Sequence, residues 1–176
     1  MALNFDNLFA NNEKNEIDDL YKEYGLGLEK IKLKRADESR ASTSDVADDA
    51  ELFFPMEQNE SYTFEIILMA GWTDTNSIRF TLVGPAGAVG AFGIENPYPV
   101  YYPGDRESFF YDSGRKLGEV LIFSDTEDGG WTFVIKGAVL NGATPGNLMF
   151  QWALKNSDTE PTTVYAGSHI RYRKVV

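Results

Sequence analysis

A chain of 176 residues with 43% hydrophobic and 14% aromatic side chains is long enough for a real core and suits one domain with an appendage better than two full domains. Its formal net charge of −11 argues against nucleic acid as a partner, because a nucleic-acid binder needs a basic face to displace phosphate counterions. The absence of cysteine excludes disulfides, thiolate metal sites and a cysteine nucleophile, so packing, strand pairing or self-association must hold the fold.

The first thirty residues differ from the rest. Leu3, Phe5, Leu8 and Phe9 form an apolar cluster. From Glu13 to Tyr24, the residues Ile17, Leu20, Tyr21 and Tyr24 recur at the spacing of one helical face, which predicts a short amphipathic helix. Gly25 and Gly27 terminate it. So short a helix needs a surface to pack on. That surface is either its own domain or a neighbouring subunit. No basic start followed by an apolar stretch marks a secretion signal, and the apolar runs are too short to span a bilayer, so folding in a cytoplasm is expected.

Residues 31–51 read as an extended polar connector with a strand near Ile31–Lys34, and Ala36–Asp49 as extended or loop-like, being rich in Ser, Thr, Asp and Ala. The β domain is expected over 52–176. Tyr62, Phe64, Ile66 and Leu68 alternate with outward residues, as do Ile78, Phe80 and Leu82, and later Leu148, Phe150, Trp152 and Leu154. Val120–Phe123 and Trp131–Ile135 flank a segment containing Asp-Gly-Gly, which predicts a hairpin. Lys136–Leu140 extends the second of these strands. Val164, Ala166, Ser168, Ile170 and Tyr172 share one face of a final strand, where Gly167 permits a bulge or a close backbone approach. Short strands punctuated by Gly, Asn, Asp and Pro predict a mainly β, jelly-roll-like antiparallel β-sandwich with a short N-terminal helical arm. Between Gly84 and Gly118 the alternation weakens, and surface strands or a projecting loop are expected. This stretch carries Tyr98, Tyr101, Tyr102, Phe109, Phe110 and Tyr111, candidate surface-loop contacts for a subunit or a sugar.

Catalytic patterns are weak. His169 is the sole histidine, placed on the strand face opposite Ile170, and no Gly-x-Ser-x-Gly elbow accompanies it. Asp125, Glu127 and Asp128, or Asp105 and Glu107, supply carboxylates for a glycosidase pair, but in turn-like segments where acids are ordinary. The first three also lack the terminal glutamate of a calcium loop, with Lys136 at that position. Asp45, Asp48, Asp49 and Glu51 read as a solvated acidic loop. No enzyme activity, metal or cofactor is expected.

Two segments carry a resemblance. One runs from Lys34 to Ser44 (KRADESRASTS), through Asp48–Phe54 (DDAELFF), to Tyr62–Glu65 (YTFE). The other runs from Gly137 to Ala153 (GAVLNGATPGNLMFQWA), then Pro161–Ser168 (PTTVYAGS) and an arginine-bearing strand. Together, over about residues 34–83 and 131–173, they resemble small structural proteins of tailed phages. The resemblance implies a jelly-roll-like domain serving as a capsid decoration (cement) protein or a tail accessory, without catalytic residues. The expectation is a virion protein that binds the major capsid protein, self-associates as a homotrimer, and touches neither nucleic acid nor membrane. Leu3, Phe5, Leu8, Phe9, Ile17, Leu20, Tyr21, Tyr24 and Arg40 are its candidate assembly contacts, with Arg40 able to bind carboxylates across strands or subunits. The alternative is a tail-tip, baseplate or fibre module binding host-surface carbohydrate through the 97–111 loop.

Overall fold

Alternation of apolar and polar residues produces strands throughout. The computed structural model describes residues 28–175 except 74–75, 96–99, 103–104, 109–110 and 124–128, with backbone alone at the remaining positions of 100–113 and at 129. The described strands are β1 (Lys30–Leu33), β2 (Glu38–Arg40), β3 (Ala47–Met56), β4 (Ser61–Trp72), β5 (Ile78–Val83), β6 (Val89–Glu95), β7 (Val100–Tyr102), β8 (Asp105–Ser108), β9 (Tyr111–Lys116), β10 (Leu121–Phe123), β11 (Gly129–Leu140), β12 (Gly146–Leu154), β13 (Thr162–Val164) and β14 (His169–Val175). The expected N-terminal helix lies outside the described residues.

One sheet runs β1-β14-β4-β11-β6-β9, with β13 and β2 continuing its β4 side; the second runs β10-β5-β12-β3. Five antiparallel pairs nest from the outside in: β1 with β14, β2 with β13, β3 with β12, β4 with β11, and β5 with β10. That nesting is a long hairpin rolled across two sheets, the double Greek key of a jelly roll. Strands β6 to β9 are an excursion between β5 and β10. It widens the first sheet beyond β11 and carries the separate β7·β8 pair.

One expectation needs correction here. The hairpin across Ser124–Gly130 does not form: β10 pairs with β5 in one sheet and β11 with β4 and β6 in the other. Each strand turns buried residues to the core, Leu121 and Phe123 from one side and Phe133 and Ile135 from the other, so the connection crosses between layers. Of the two readings of residues 36–49, extended or loop-like, the extended one holds at both ends of the stretch. These residues contain β2, paired with β13, and the start of β3, paired with β12.

The core lies between the sheets. Tyr62, Phe64, Ile66 and Leu68 of β4 meet Leu52 and Phe54 of β3, Phe80 of β5, and Phe150 and Trp152 of β12, all buried. Each such side chain contributes about 1.5–3 kcal/mol by leaving water. Aromatic rings fill the middle: Phe54 stacks on Tyr172 at 4.4 Å, and Phe123 meets Phe133 edge-on at 4.7 Å.

The expected last strand is two. β13 and β14 both pair with β4, separated by Tyr165–Ser168. Gly167 takes φ +93°, a conformation that suits glycine, and the Ser168 hydroxyl accepts the Met69 N–H at 3.0 Å in place of a ladder bond. The neighbouring chain breaks at the same level, between β1 and β2. There the Lys34 N–H donates to the Ser168 carbonyl at 2.8 Å and the Gly167 N–H to the Lys34 carbonyl at 2.9 Å. This paired break aims the Lys34 side chain inward.

Candidate assembly surface

The matched break creates a buried ionic cluster. Lys34 and Asp49 are 1% and 0% exposed. The Lys34 ammonium donates to both Asp49 oxygens at 2.9 Å and to Glu38 at 3.0 Å. Asp49 also accepts the N–H groups of Glu51 and Leu52 and the Trp152 indole N–H at 3.0 Å, so a charge inside the sandwich has a full set of donors. Arg40 covers the cluster. Its guanidinium lies 4.1 Å from the Trp152 ring and donates to Glu38 and to the carbonyls of Ala47, Asp48 and Trp152. Burial alone would raise the Glu38 pKa, but bonds from Arg40 and Lys34 outweigh it and hold the carboxyl below its usual range. Within the subunit Arg40 thus ties strand β2 to β3 and β12, with Nε and Nη2 both donating to Glu38 Oε1.

The acids read as a solvated loop have separate tasks. Asp49 is buried against Lys34, Asp48 accepts from Gln151 at 2.8 Å, and Glu51 accepts the N–H groups of Arg35 and Ala36. Among the described residues no three His, Asp or Glu side chains converge as metal ligands.

The outer face of the larger sheet carries an exposed ladder. Arg171 pairs with Glu65, Lys136 lies 3.6 Å from Glu65, and Lys136 bonds Glu95 at 2.7 Å. The Glu95 bond raises the Lys136 pKa, with Glu65 adding to it. His169 lies on this face, opposite Ile67 across the register, with Nδ1 3.0 Å from the Gly167 carbonyl oxygen.

The surface feature that sequence reasoning missed is the exposed apolar edge made by strand β1, whose strand character it did expect. This strand ends the larger sheet, and among the described residues nothing pairs with its outward side. Leu28, Ile31 and Leu33 are 64%, 64% and 52% exposed. Strand β3 ends the other sheet alongside. Lys32 bridges the two edges, its ammonium 3.0 Å from the Phe53 ring centroid; burial lowers its pKa while Glu51 opposes the shift. Two clefts follow this seam: one of about 420 Å³ beside Ile31, Leu33, Ala50 and Phe53, and one of about 260 Å³ beside Leu28, Lys30 and Pro55. The available signal was apolar residues at Leu28, Ile31 and Leu33 in a segment that otherwise reads as a polar connector.

Leu3, Phe5, Leu8, Phe9, Ile17, Leu20, Tyr21 and Tyr24 lie outside the described residues, as do Tyr98, Phe109, Phe110, Asp125, Glu127 and Asp128. Tyr101 and Tyr102 fall in β7, Tyr111 begins β9, and Asp105 and Glu107 belong to β8.

These strand pairings and the apolar seam define an antiparallel jelly-roll sandwich in which β1 is an edge strand among the described residues. No protein-family profile and no curated protein matches the chain. Among solved structures, it is similar to the VP2 subviral particle of infectious bursal disease virus at 9% identity and a TM-score of 0.20, over 84% of this chain and 41% of that one. The Gx strain structure of the same virus gives 8% identity and a TM-score of 0.17, over 84% and 39%. The chain therefore spans about two fifths of the chains it matches. Superpositions this loose carry no structural argument, and the fold is defined by its own pairings.

Proposed function

We propose that this protein is a structural component of a tailed-phage virion, a cement or decoration protein that binds the outer capsid shell and stabilises it. The carrying observation is the exposed apolar edge of β1, which continues directly from the arm. Large apolar side chains grouped at a sheet edge are what an assembling protein covers on contact. Jelly rolls serve in viral capsids and in lectins, so the fold is compatible with this role without implying it. The motif resemblance over residues 34–83 and 131–173 supplies the phage context. In this reading Leu3, Phe5, Leu8 and Phe9 contact the major capsid protein, the subunits associate as a homotrimer, and the acidic surface keeps particles apart. The aromatic rings of the arm contribute affinity at each attachment, and many attachments per particle multiply it.

The alternative, a tail-tip, baseplate or fibre module for host carbohydrate, draws on one observation: the aromatic-rich β6–β9 excursion carries a small sheet, β7·β8, paired to neither main sheet. Gold-labelled antibody on intact particles separates the two. Label over the head supports decoration. Label confined to the tail overturns it and directs attention to Tyr101 and Tyr102.

A further inference from the structure

The seam between β1 and β3 has an apolar floor and a cationic rim. Leu28, Ile31 and Leu33 are exposed along it, with Phe53 and Pro55 opposite. Lys30, Lys32, Arg35, Arg173 and Lys174 line its two clefts, against only two carboxylates, Glu51 and Glu57. Both carboxylates are engaged, Glu51 by the Arg35 and Ala36 N–H groups and Glu57 by Lys174 at 3.1 Å. A basic strip on a chain of net charge −11 calls for an acidic, apolar occupant.

A second β1 strand fits poorly. Antiparallel pairing of two copies about a twofold axis sets Lys30 against Lys32, or Lys30 against itself, and like charges directly opposite destabilise a sheet. Residues 1–27 fit well. They contain six acids (Asp6, Glu13, Glu16, Asp18, Asp19 and Glu23) and two lysines (Lys14 and Lys22), a net of −4. Their helical stripe is Ile17, Leu20, Tyr21 and Tyr24. A helix over Glu13–Tyr24 is about 18 Å long, and the extended stretch Leu28–Leu33 spans roughly 17–20 Å. Gly25 and Gly27 leave a three-residue link able to reverse the chain, and so short a link gives the arm of the same chain a high effective concentration over any other occupant.

We propose that residues 13–24 dock in cis as an amphipathic helix antiparallel to β1. Their apolar stripe covers Ile31 and Leu33 and their acids face the lysine rim, in the helix-in-groove mode. The role lies beyond the attachment of the protein to a particle. It leaves Leu3–Phe9 for external contacts.

The native chain has no cysteine, so an introduced pair is the only thiol pair present. The full-length double variant Leu20→Cys/Ile31→Cys is oxidised at low micromolar concentration, beside Leu20→Cys/Ile122→Cys. Ile122 is exposed on β10, at the opposite edge of the second sheet. The expected result is a disulfide within the monomer for the first pair, formed many-fold faster than for the second, and slowed several-fold by adding Lys30→Glu/Lys32→Glu. Disulfide-linked dimers would assign the seam to another copy's arm. Equal rates for both pairs, or no disulfide in a variant that melts like the parent, would mean the arm does not dock there. Each of these outcomes overturns the proposal.

Discussion

The molecule holds two charge networks of similar chemistry in opposite surroundings. Lys34, Asp49, Glu38 and Arg40 meet between the sheets, while Arg171, Glu65, Lys136 and Glu95 form a row on the outer face. Inside, Lys34 and Asp49 lack water, with Glu38 and Arg40 closing the cluster toward the surface, so removing one of the buried pair strands the other. Outside, water replaces any partner at small cost. The two networks teach that distances near 3 Å do not rank interactions; the surrounding dielectric does.

Three experiments sharpen this contrast. Asp49→Ala leaves the Lys34 ammonium buried with Glu38 alone and removes the acceptor of the Trp152 indole, and a loss of about 3–5 kcal/mol is expected in urea denaturation. A loss below about 1 kcal/mol would place the cluster energetically with the surface. The second test is pH. Glu38 titrates below its ordinary value of 4.5 in the fold, so its contribution is present above that value and fades as pH falls through the lower folded value. Between pH 6 and 3 the parent should lose more stability than Glu38→Gln, and parallel curves would contradict the assignment. The smallest effect belongs to Lys136→Ala, expected below about 1 kcal/mol. What little it costs should shrink further in high salt.

The same contrast explains what could be read before the fold was known. Alternation located β4, β5 and β12, because a strand with one face on a core writes a period of two into its residues. Gly167 was marked as a place of unusual backbone, a bulge or a close approach, and it proves to sit in the break between β13 and β14. The β10–β11 hairpin failed because turn residues report a change of direction and not the sheet to which the chain returns. Lys34 and Asp49 were hidden for a related reason. They stand 15 residues apart in a stretch whose composition suits a solvated loop, and only the matched breaks beside Ser168 bring them together. The β1 seam was missed because three apolar residues among lysines look incidental until the strand is known to be an edge.

The outermost nested pair has a consequence for synthesis. Lys30 lies opposite Tyr172, so the first described strand finds its partner in the last. While the chain is being made, the backbone edge of β1 that pairs with β14 stays open until β14 clears the ribosome. Contacts so distant in sequence close late and slowly. A nascent chain stalled before residue 169 therefore offers that strand to any chaperone or neighbouring nascent chain.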